Sequence, residues 1–112
     1  MPPDPDELED VDAALADARR DFIDAFHPRC DRMAALIDDV ASSGSAAAAS
    51  ELARVLHRMG GLGGTVGLPT VTARARDFED LVRDAPDTGF DVDEARRLLD
   101  ALRAGFHDDL SR

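Results

Sequence analysis

The sequence contains no tryptophan and no tyrosine, and its aromatic side chains are five phenylalanines and three histidines. Single-stranded nucleic acid is bound by stacking bases on aromatic side chains, so the composition argues against that function. The single cysteine, Cys30, excludes an internal disulfide. It falls on an apolar helix face, which predicts an inert core thiol and fits a protein of the reducing cytoplasm.

Long apolar runs are also missing. No segment approaches the roughly 20 apolar residues that span a bilayer, so we expect no membrane anchor. Residues 1–7 are rich in proline and aspartate and show neither the basic region nor the apolar run of a signal peptide. We expect them to form a flexible tail before a single domain over residues 8–112, because 112 residues with 44% hydrophobic content supply one core.

Positive charge is scarce, with 13 Lys and Arg against 24 Asp and Glu and a net charge of −11 at pH 7. Such a surface repels the phosphate backbone of nucleic acids. We therefore expect a monomer whose partners are proteins, offering cations around an acidic pocket.

Apolar residues recur with helical spacing, and no stretch alternates as a half-buried strand does. The pattern predicts an all-α fold, an antiparallel four-helix bundle with an additional or kinked N-terminal helix. Pro28 favours a kink near residues 24–27, and a gap at Arg19-Arg20 is the alternative. In the first stretch, the residues predicted to face the core are Leu8, Val11, Leu15, Phe22, Phe26, Met33, Leu36, Ile37 and Val40.

Turn and capping residues separate the later helices. Ser45 is a suitable N-cap, Gly67 a left-handed terminator and Pro69 a first-turn residue. Asp91, with Glu94 three residues later, resembles a capping box. The residues predicted to face inward are Val71, Ala75, Phe78 and Val82 in the third helix, and Val92, Ala95, Leu99, Leu102, Phe106 and Leu110 in the fourth.

His57 stands out in the second helix. A helical wheel places Gly60, Gly61 and Gly64 beside it, and each helical glycine costs about 1 kcal/mol relative to alanine. Close approach by another macromolecule explains that loss, whereas a flexible turn that ends the helix at Met59 is the alternative. The wheel predicts that the opposite, buried side consists of Leu52, Val55, Met59, Leu62 and Val66.

The residues His57-Arg58-Met59-Gly60-Gly61, then Gly64, Val66 and Gly67, and later Phe78-Glu79, resemble the signature of histidine phosphotransfer (HPt) domains. The resemblance implies a four-helix bundle whose histidine, here His57, carries a phosphoryl group between the aspartates of receiver domains. It also implies that Gly61 lets a receiver dock, and we expect Gly60, Gly61 and Gly64 together to form the docking surface. One departure is that the family's lysine three residues after the histidine is Gly60 here.

The resemblance implies a phosphorelay carrier with no ATP site and no turnover of its own. Its partners are then response-regulator receiver domains and a hybrid sensor kinase, and the receiver supplies Mg²⁺, so the chain itself needs no cofactor. Arg54 and Arg58 lie near His57 on the wheel and are candidates to stabilise the phosphoryl group, although ordinary solvation explains them equally well. The alternative function is a helical interaction module, a degenerate HPt domain that binds partners without phosphotransfer.

Other chemical patterns are weaker. His27, Cys30 and Asp31 lie close in sequence, but the chain lacks the paired carboxylate-histidine motifs of a metal-binding bundle, so we predict no metal site. His107 complements the negative end of the last helix and is predicted to be structural. The glycine run contains no Gly-Lys-Ser/Thr and follows no strand, which argues against a nucleotide-binding loop.

Overall fold

The computed structural model describes Pro2 and residues 4–112, and every regular element within them is an α-helix. The helices are α1 (Pro5–Ser43), α2 (Ala46–Thr65), α3 (Pro69–Arg83) and α4 (Val92–Leu110). Both α1 and α3 pack against α2 and α4. With short connections, this ring of contacts makes the predicted four-helix bundle. None of the described helices combines the length and the apolar character needed to cross a membrane.

The core lies where the four apolar stripes meet. Phe26, Phe78 and Phe106 are almost completely buried, and the ring centroids of Phe26 and Phe106 are 3.8 Å apart. Cys30 is fully buried among these side chains, and burial raises the pKa of its thiol to about 11. The predicted core position of Cys30 is confirmed, and a thiol with such a pKa is protonated at neutral pH.

Helix α1 runs unbroken for 39 residues and contains Pro28. The predicted additional helix and the gap at Arg19-Arg20 are therefore wrong. Proline removes one backbone hydrogen bond, but Pro28 is exposed, and the buried Phe22, Phe26, Cys30 and Met33 keep one stripe in the core on both sides of it. Burial along this shared stripe offsets the defect.

The predicted tail of residues 1–7 is partly helical. Helix α1 already begins at Pro5, and the side chain of Asp4 caps it by accepting a hydrogen bond of 2.9 Å from the N–H of Glu7. Met1 and Pro3, the other part of that prediction, lie outside the described residues.

The first turns of α1 project past the bundle. Leu8, Val11 and Leu15 were predicted to face the core, but they are 51%, 56% and 42% exposed. The reason is length, because α2, α3 and α4 contain 20, 15 and 19 residues and leave no helix opposite the start of α1. Leu110, in the last turn of α4, is likewise 40% exposed instead of inward.

The predicted helix ends are confirmed. Ser45 accepts a hydrogen bond of 3.1 Å from the N–H of Ala48, Gly67 has a φ of 79°, and Pro69 is the first residue of α3. Asp91 accepts a hydrogen bond of 3.0 Å from the N–H of Glu94. These four residues set both ends of α2 and the starts of α3 and α4.

The N-terminus of α3 is capped from another helix. Its N-cap residue, Leu68, offers no side-chain acceptor, and the carboxylate of Asp109 in α4 accepts hydrogen bonds from the N–H groups of Thr70 (3.2 Å) and Val71 (2.9 Å). Asp109 is only 6% exposed although it lies in the last turn of α4. Burial acts to raise the pKa of Asp109, but the donors from Val71 and Thr70 hold it below the usual value.

Replacement of this cap, Asp109→Asn, is expected to lower the free energy of unfolding at pH 7 by about 1–3 kcal/mol. Because folding lowers the pKa of Asp109, its contribution is present above the unfolded-state value of about 4 and is lost as the pH falls through the folded-state value. Urea unfolding from pH 7 to pH 2 measures this difference. The exposed neighbour provides the control, Asp108→Asn, and a difference between wild type and Asp109→Asn that stays constant down to pH 2 would contradict the prediction.

Candidate functional site

Helix α2 remains helical through its glycine run. It spans Ala46–Thr65 and therefore includes Gly60, Gly61 and Gly64. The chain leaves the helix at Val66 and turns at Gly67, whose positive φ suits glycine. The alternative of a flexible turn that begins after Met59 is therefore wrong, and His57 lies well inside a regular helix.

The buried side of α2 is rotated relative to the predicted one. Leu62, predicted to be inward, is 41% exposed, whereas Gly60, predicted to be on the open side, is buried. The predicted buried side was set by the large apolar side chains alone. Glycines, however, permit the closest contact between two helices, and here they face α3. The residues that α2 buries are Ala48, Leu52, Ala53, Leu56, Met59, Gly60 and Gly63.

Two glycines bring α2 against α3. The hydroxyl of Thr72 donates a buried hydrogen bond of 2.9 Å to the carbonyl oxygen of Gly60. A Cβ on Gly63 would lie 3.0 Å from Thr72 Oγ1 and 3.2 Å from Val71 Cγ1. Gly60 and Gly63 thus serve the helix interface, which corrects the predicted place of Gly60 in an open docking surface.

Gly61 and Gly64 remain on the open side of α2. A Cβ on Gly61 would meet no atom within 4 Å, and one on Gly64 would touch only Thr72, at 3.5 Å. Both glycines are exposed, four and seven residues after His57. This spacing puts them on the face of His57, so the surface next to the ring is bare.

The imidazole of His57 is open to solvent and anchored from one side. Its side chain is 75% exposed, and Nδ1 lies 3.1 Å from Oε2 and 3.3 Å from Oε1 of Glu79 in α3. An ionised carboxylate only accepts hydrogen bonds, so Nδ1 carries the proton. In the neutral ring, Nε2 then holds the free lone pair and is available to a reactant.

Glu79 is held in its ionised form. Its side chain is only 12% exposed, and Arg83, one turn later, donates to the same Oε2 that faces His57. Burial acts to raise the pKa of Glu79, but the hydrogen bonds from Arg83 and His57 lower it below the usual value. The carboxylate is therefore a fixed acceptor that sets both the tautomer and the orientation of the ring.

Glu79 was expected only as part of the Phe78-Glu79 pair in the resemblance, although the chain also contains a signal for its place beside His57. The turn between α2 and α3 is centred near Leu68, and His57 and Glu79 each lie eleven residues from it. Antiparallel helices rise equally per residue, so positions equidistant from a tight turn lie at the same level. Gly60 and Arg76, each eight residues from Leu68, form the next such pair.

Comparison with known proteins identifies the family of the chain. The family model described as Hpt domain matches residues 5–105. The chain belongs to the Hpt domain family. Hpt domains are helical bundles that act as histidine phosphotransfer modules in phosphorelays, which agrees with the fold and with the resemblance of the sequence. No curated protein and no solved structure matches the chain.

In this Hpt domain Arg58 lies on the side of α2 that faces α1, whereas Arg54 lines a cavity with α1 and also one with Val82 and Arg83 of α3. The side chain of Arg54 is 74% exposed and forms an ion pair with Glu51, and Arg58 is exposed. His57 turns towards α3, where it contacts Glu79. The role of Arg54 and Arg58 at the phosphoryl group stays a prediction. The two arginines border a cavity of about 200 Å³ lined by Arg29, Arg32, Glu51, Arg54, Val55, Arg58 and Met59.

The side chains of His27, Cys30 and Asp31, the alternative metal ligands, do not meet at one point in the Hpt domain. Cys30 is buried, whereas Asp31 accepts a hydrogen bond of 2.9 Å from Arg103, whose other nitrogen lies 3.1 Å from Nδ1 of His27. A guanidinium thus lies where these side chains could have shared a cation. Among the described residues, no group of three or more His, Cys, Asp or Glu side chains is placed to hold a metal ion.

Proposed function

We propose that this Hpt domain carries a phosphoryl group on His57, to or from the aspartates of response-regulator receiver domains. The observation that supports this most is the His57 ring itself, which is exposed, bonded through Nδ1 to Glu79 and bordered by the bare positions Gly61 and Gly64. The carrier has no turnover of its own, and a hybrid sensor kinase is the natural source of its phosphate. We place it, as a monomer, in the cytoplasm with those partners.

The phosphoryl transfer needs no reactant other than the Hpt domain and the phosphorylated receiver. The lone pair of Nε2 attacks the phosphorus of a receiver's aspartyl phosphate in line with the scissile bond. A nitrogen–phosphorus bond forms while the phosphorus–oxygen bond breaks, and the aspartate carboxylate leaves with the electron pair. The ring keeps its proton on Nδ1, and the positive charge that it gains lies against the carboxylate of Glu79. The reverse step returns the phosphoryl group to a receiver aspartate, and the receiver brings the Mg²⁺.

Incubation with a receiver domain that carries a radioactive aspartyl phosphate tests the proposal. We expect up to one phosphate per chain, labile in acid and stable in base, and mass spectrometry of peptides should locate it at His57. A chain that binds the phosphorylated receiver in a titration but takes up no label would instead be the non-catalytic interaction module.

The bare position beside the ring gives a prediction of its own. We expect Gly61→Ala to raise the free energy of unfolding by up to about 1 kcal/mol, because Gly61 is helical and a Cβ there meets no other atom. The same methyl group stands where a receiver must approach, so phosphotransfer should become slower although the protein is more stable. Urea unfolding and transfer rates measure the two effects.

The control for this prediction is Ser50→Ala, an exposed position near the start of α2. It also replaces a weaker helix former with alanine, but it lies two turns from the ring and adds no atom to the surface. Equal transfer rates in Gly61→Ala, Ser50→Ala and wild type would show that no partner approaches Gly61 closely.

A further inference from the structure

The phosphorylated ring would place two anions side by side. A phosphoryl group on Nε2 of His57 carries a charge between about −1.5 and −2, and the carboxylate of Glu79 is bonded to the other nitrogen of the same ring. Arg83 is already engaged with that carboxylate. A further cation on the α3 side of the ring would therefore stabilise the phosphorylated form.

Arg76 lies at this place. It precedes Glu79 by three residues, so the two side chains share one face of α3. Its Cγ lies 3.7 Å from the position that a Cβ on Gly60 would take, and Gly60 follows His57 by three residues on α2. The contact between His57 and Glu79 and the contact between Gly60 and Arg76 thus both join α2 to α3, one helical turn apart.

The missing side chain at position 60 leaves room for the stem of Arg76 against α2. The guanidinium beyond this stem is exposed and, among the described residues, forms no ion pair. Arg58 and Arg74 likewise form no ion pair among those residues, but Arg58 borders the cavity with α1 and Arg74 faces α4, so of these three arginines it is Arg76 that lies at the contact between α2 and α3. The N–H groups of a guanidinium lie in one plane and can donate two parallel hydrogen bonds to the oxygens of a phosphoryl group.

We propose that Arg76 binds the phosphoryl oxygens on His57 and is the residue of this chain that stabilises their charge during transfer. The inference rests on the proposed function of His57 as the phosphoacceptor. It assigns the role to a residue of α3 opposite Gly60, and not to Arg54, which is paired with Glu51, or to Arg58, which borders the cavity with α1.

The test uses the full chain with Arg76→Ala, Arg76→Lys and a matched control, Arg74→Ala. Arg74 is exposed on the same helix but faces α4, since its Cγ lies 3.3 Å from the Cβ position of Gly105. At saturating phosphorylated receiver, we expect transfer to His57 to be about tenfold slower in Arg76→Ala than in Arg74→Ala, with Arg76→Lys between them. Circular dichroism should show the same helix content in all of them.

A second measurement separates contact with the phosphoryl group from a structural effect. Phosphorus NMR follows the titration of the phosphoryl group on purified phosphorylated protein. Arg76→Ala should titrate at a higher pH than wild type, because loss of a neighbouring guanidinium disfavours the dianion. Arg74→Ala should titrate like wild type.

A rescue variant tests the geometry. In the Arg76→Ala background, Gly60→Lys brings an ammonium group from α2 into the space that the arginine stem has left, and we expect most of the transfer rate to return. In the wild-type background the stem of Arg76 occupies that space, so Gly60→Lys should bring no gain.

The two proposals fail in different ways. If wild type is labelled and Arg76→Ala matches Arg74→Ala in both transfer rate and titration, the role of Arg76 is overturned while His57 remains the carrier. If wild type takes up no label, the proposed function itself is overturned.

Discussion

A His57→Gln variant is expected to take up no transferable phosphate while it keeps the wild-type fold. Glutamine is similar in size, but its amide nitrogen has no free lone pair with which to attack phosphorus. The His57 side chain is 75% exposed and contributes no core contact, so the free energy of unfolding should change by about 0.5 kcal/mol or less. Radioactive transfer from a phosphorylated receiver measures the loss, and urea unfolding measures the stability.

The other two histidines provide matched controls, His27→Gln and His107→Gln. Both side chains belong to exposed residues on the α1 and α4 side of the bundle, where their ring centroids are 5.5 Å apart. Each variant should be labelled like wild type. If His57→Gln is labelled as strongly as these controls, the phosphoacceptor must be another residue of the chain. Loss of label in all three variants would point to a general loss of folding.

The helices and their ends could be predicted because they depend on nearby residues. The recurrence of apolar side chains indicated four helices, and Ser45, Gly67, Pro69 and Asp91 end or begin them through local hydrogen bonds and backbone angles. The choice of His57 also needed only local information, since a histidine beside Gly61 and Gly64 in a helix lies on a bare surface whatever packs behind it.

The rest of the site depends on what faces α2 in space. Gly60 and Gly61 are adjacent and chemically identical, yet one is buried at the contact with α3 and the other is exposed. A wheel of α2 alone cannot separate them, because the buried sector is set by the positions of both α1 and α3. The places of Glu79 and Arg76 were missed for the same reason, since their relation to His57 passes through the turn between two helices.

The local charge of the surface could not be predicted from the composition. A net charge of −11 led to the expectation that partners offer cations, which stays a prediction, but the groove between α1 and α2 is rich in arginine, with Arg29, Arg32, Arg54 and Arg58 around one cavity. Net charge averages over the whole surface, whereas a partner meets one part of it. The carboxylates responsible for much of that charge lie elsewhere, including Asp6, Glu7 and other residues in the projecting start of α1.

The close contact between α2 and α3 leads to the second large effect, in Gly63→Val. Even a Cβ at position 63 would lie 3.0 Å from Thr72 Oγ1 and 3.2 Å from Val71 Cγ1, and valine adds two more methyl groups. Neither neighbour is free to move, because Thr72 is bonded to the carbonyl of Gly60 and the N–H of Val71 to Asp109. Overpacking and loss of the buried hydrogen bond should together lower the free energy of unfolding by about 3 kcal/mol.

The control is the same substitution two residues earlier, Gly61→Val, where the side chain points into open space. Urea unfolding should leave Gly61→Val within about 0.5 kcal/mol of wild type, because valine is a slightly better helix former than glycine. The functional readouts should then diverge from the stabilities. If His57 is the carrier that we propose, Gly61→Val should block the approach of a receiver to a stable protein, whereas Gly63→Val should separate α2 from α3 and thereby loosen the contact of His57 with Glu79. Equal unfolding curves for the two variants would mean that α2 and α3 can move apart freely, and the spacing set by Gly60 and Gly63 would then not position the ring.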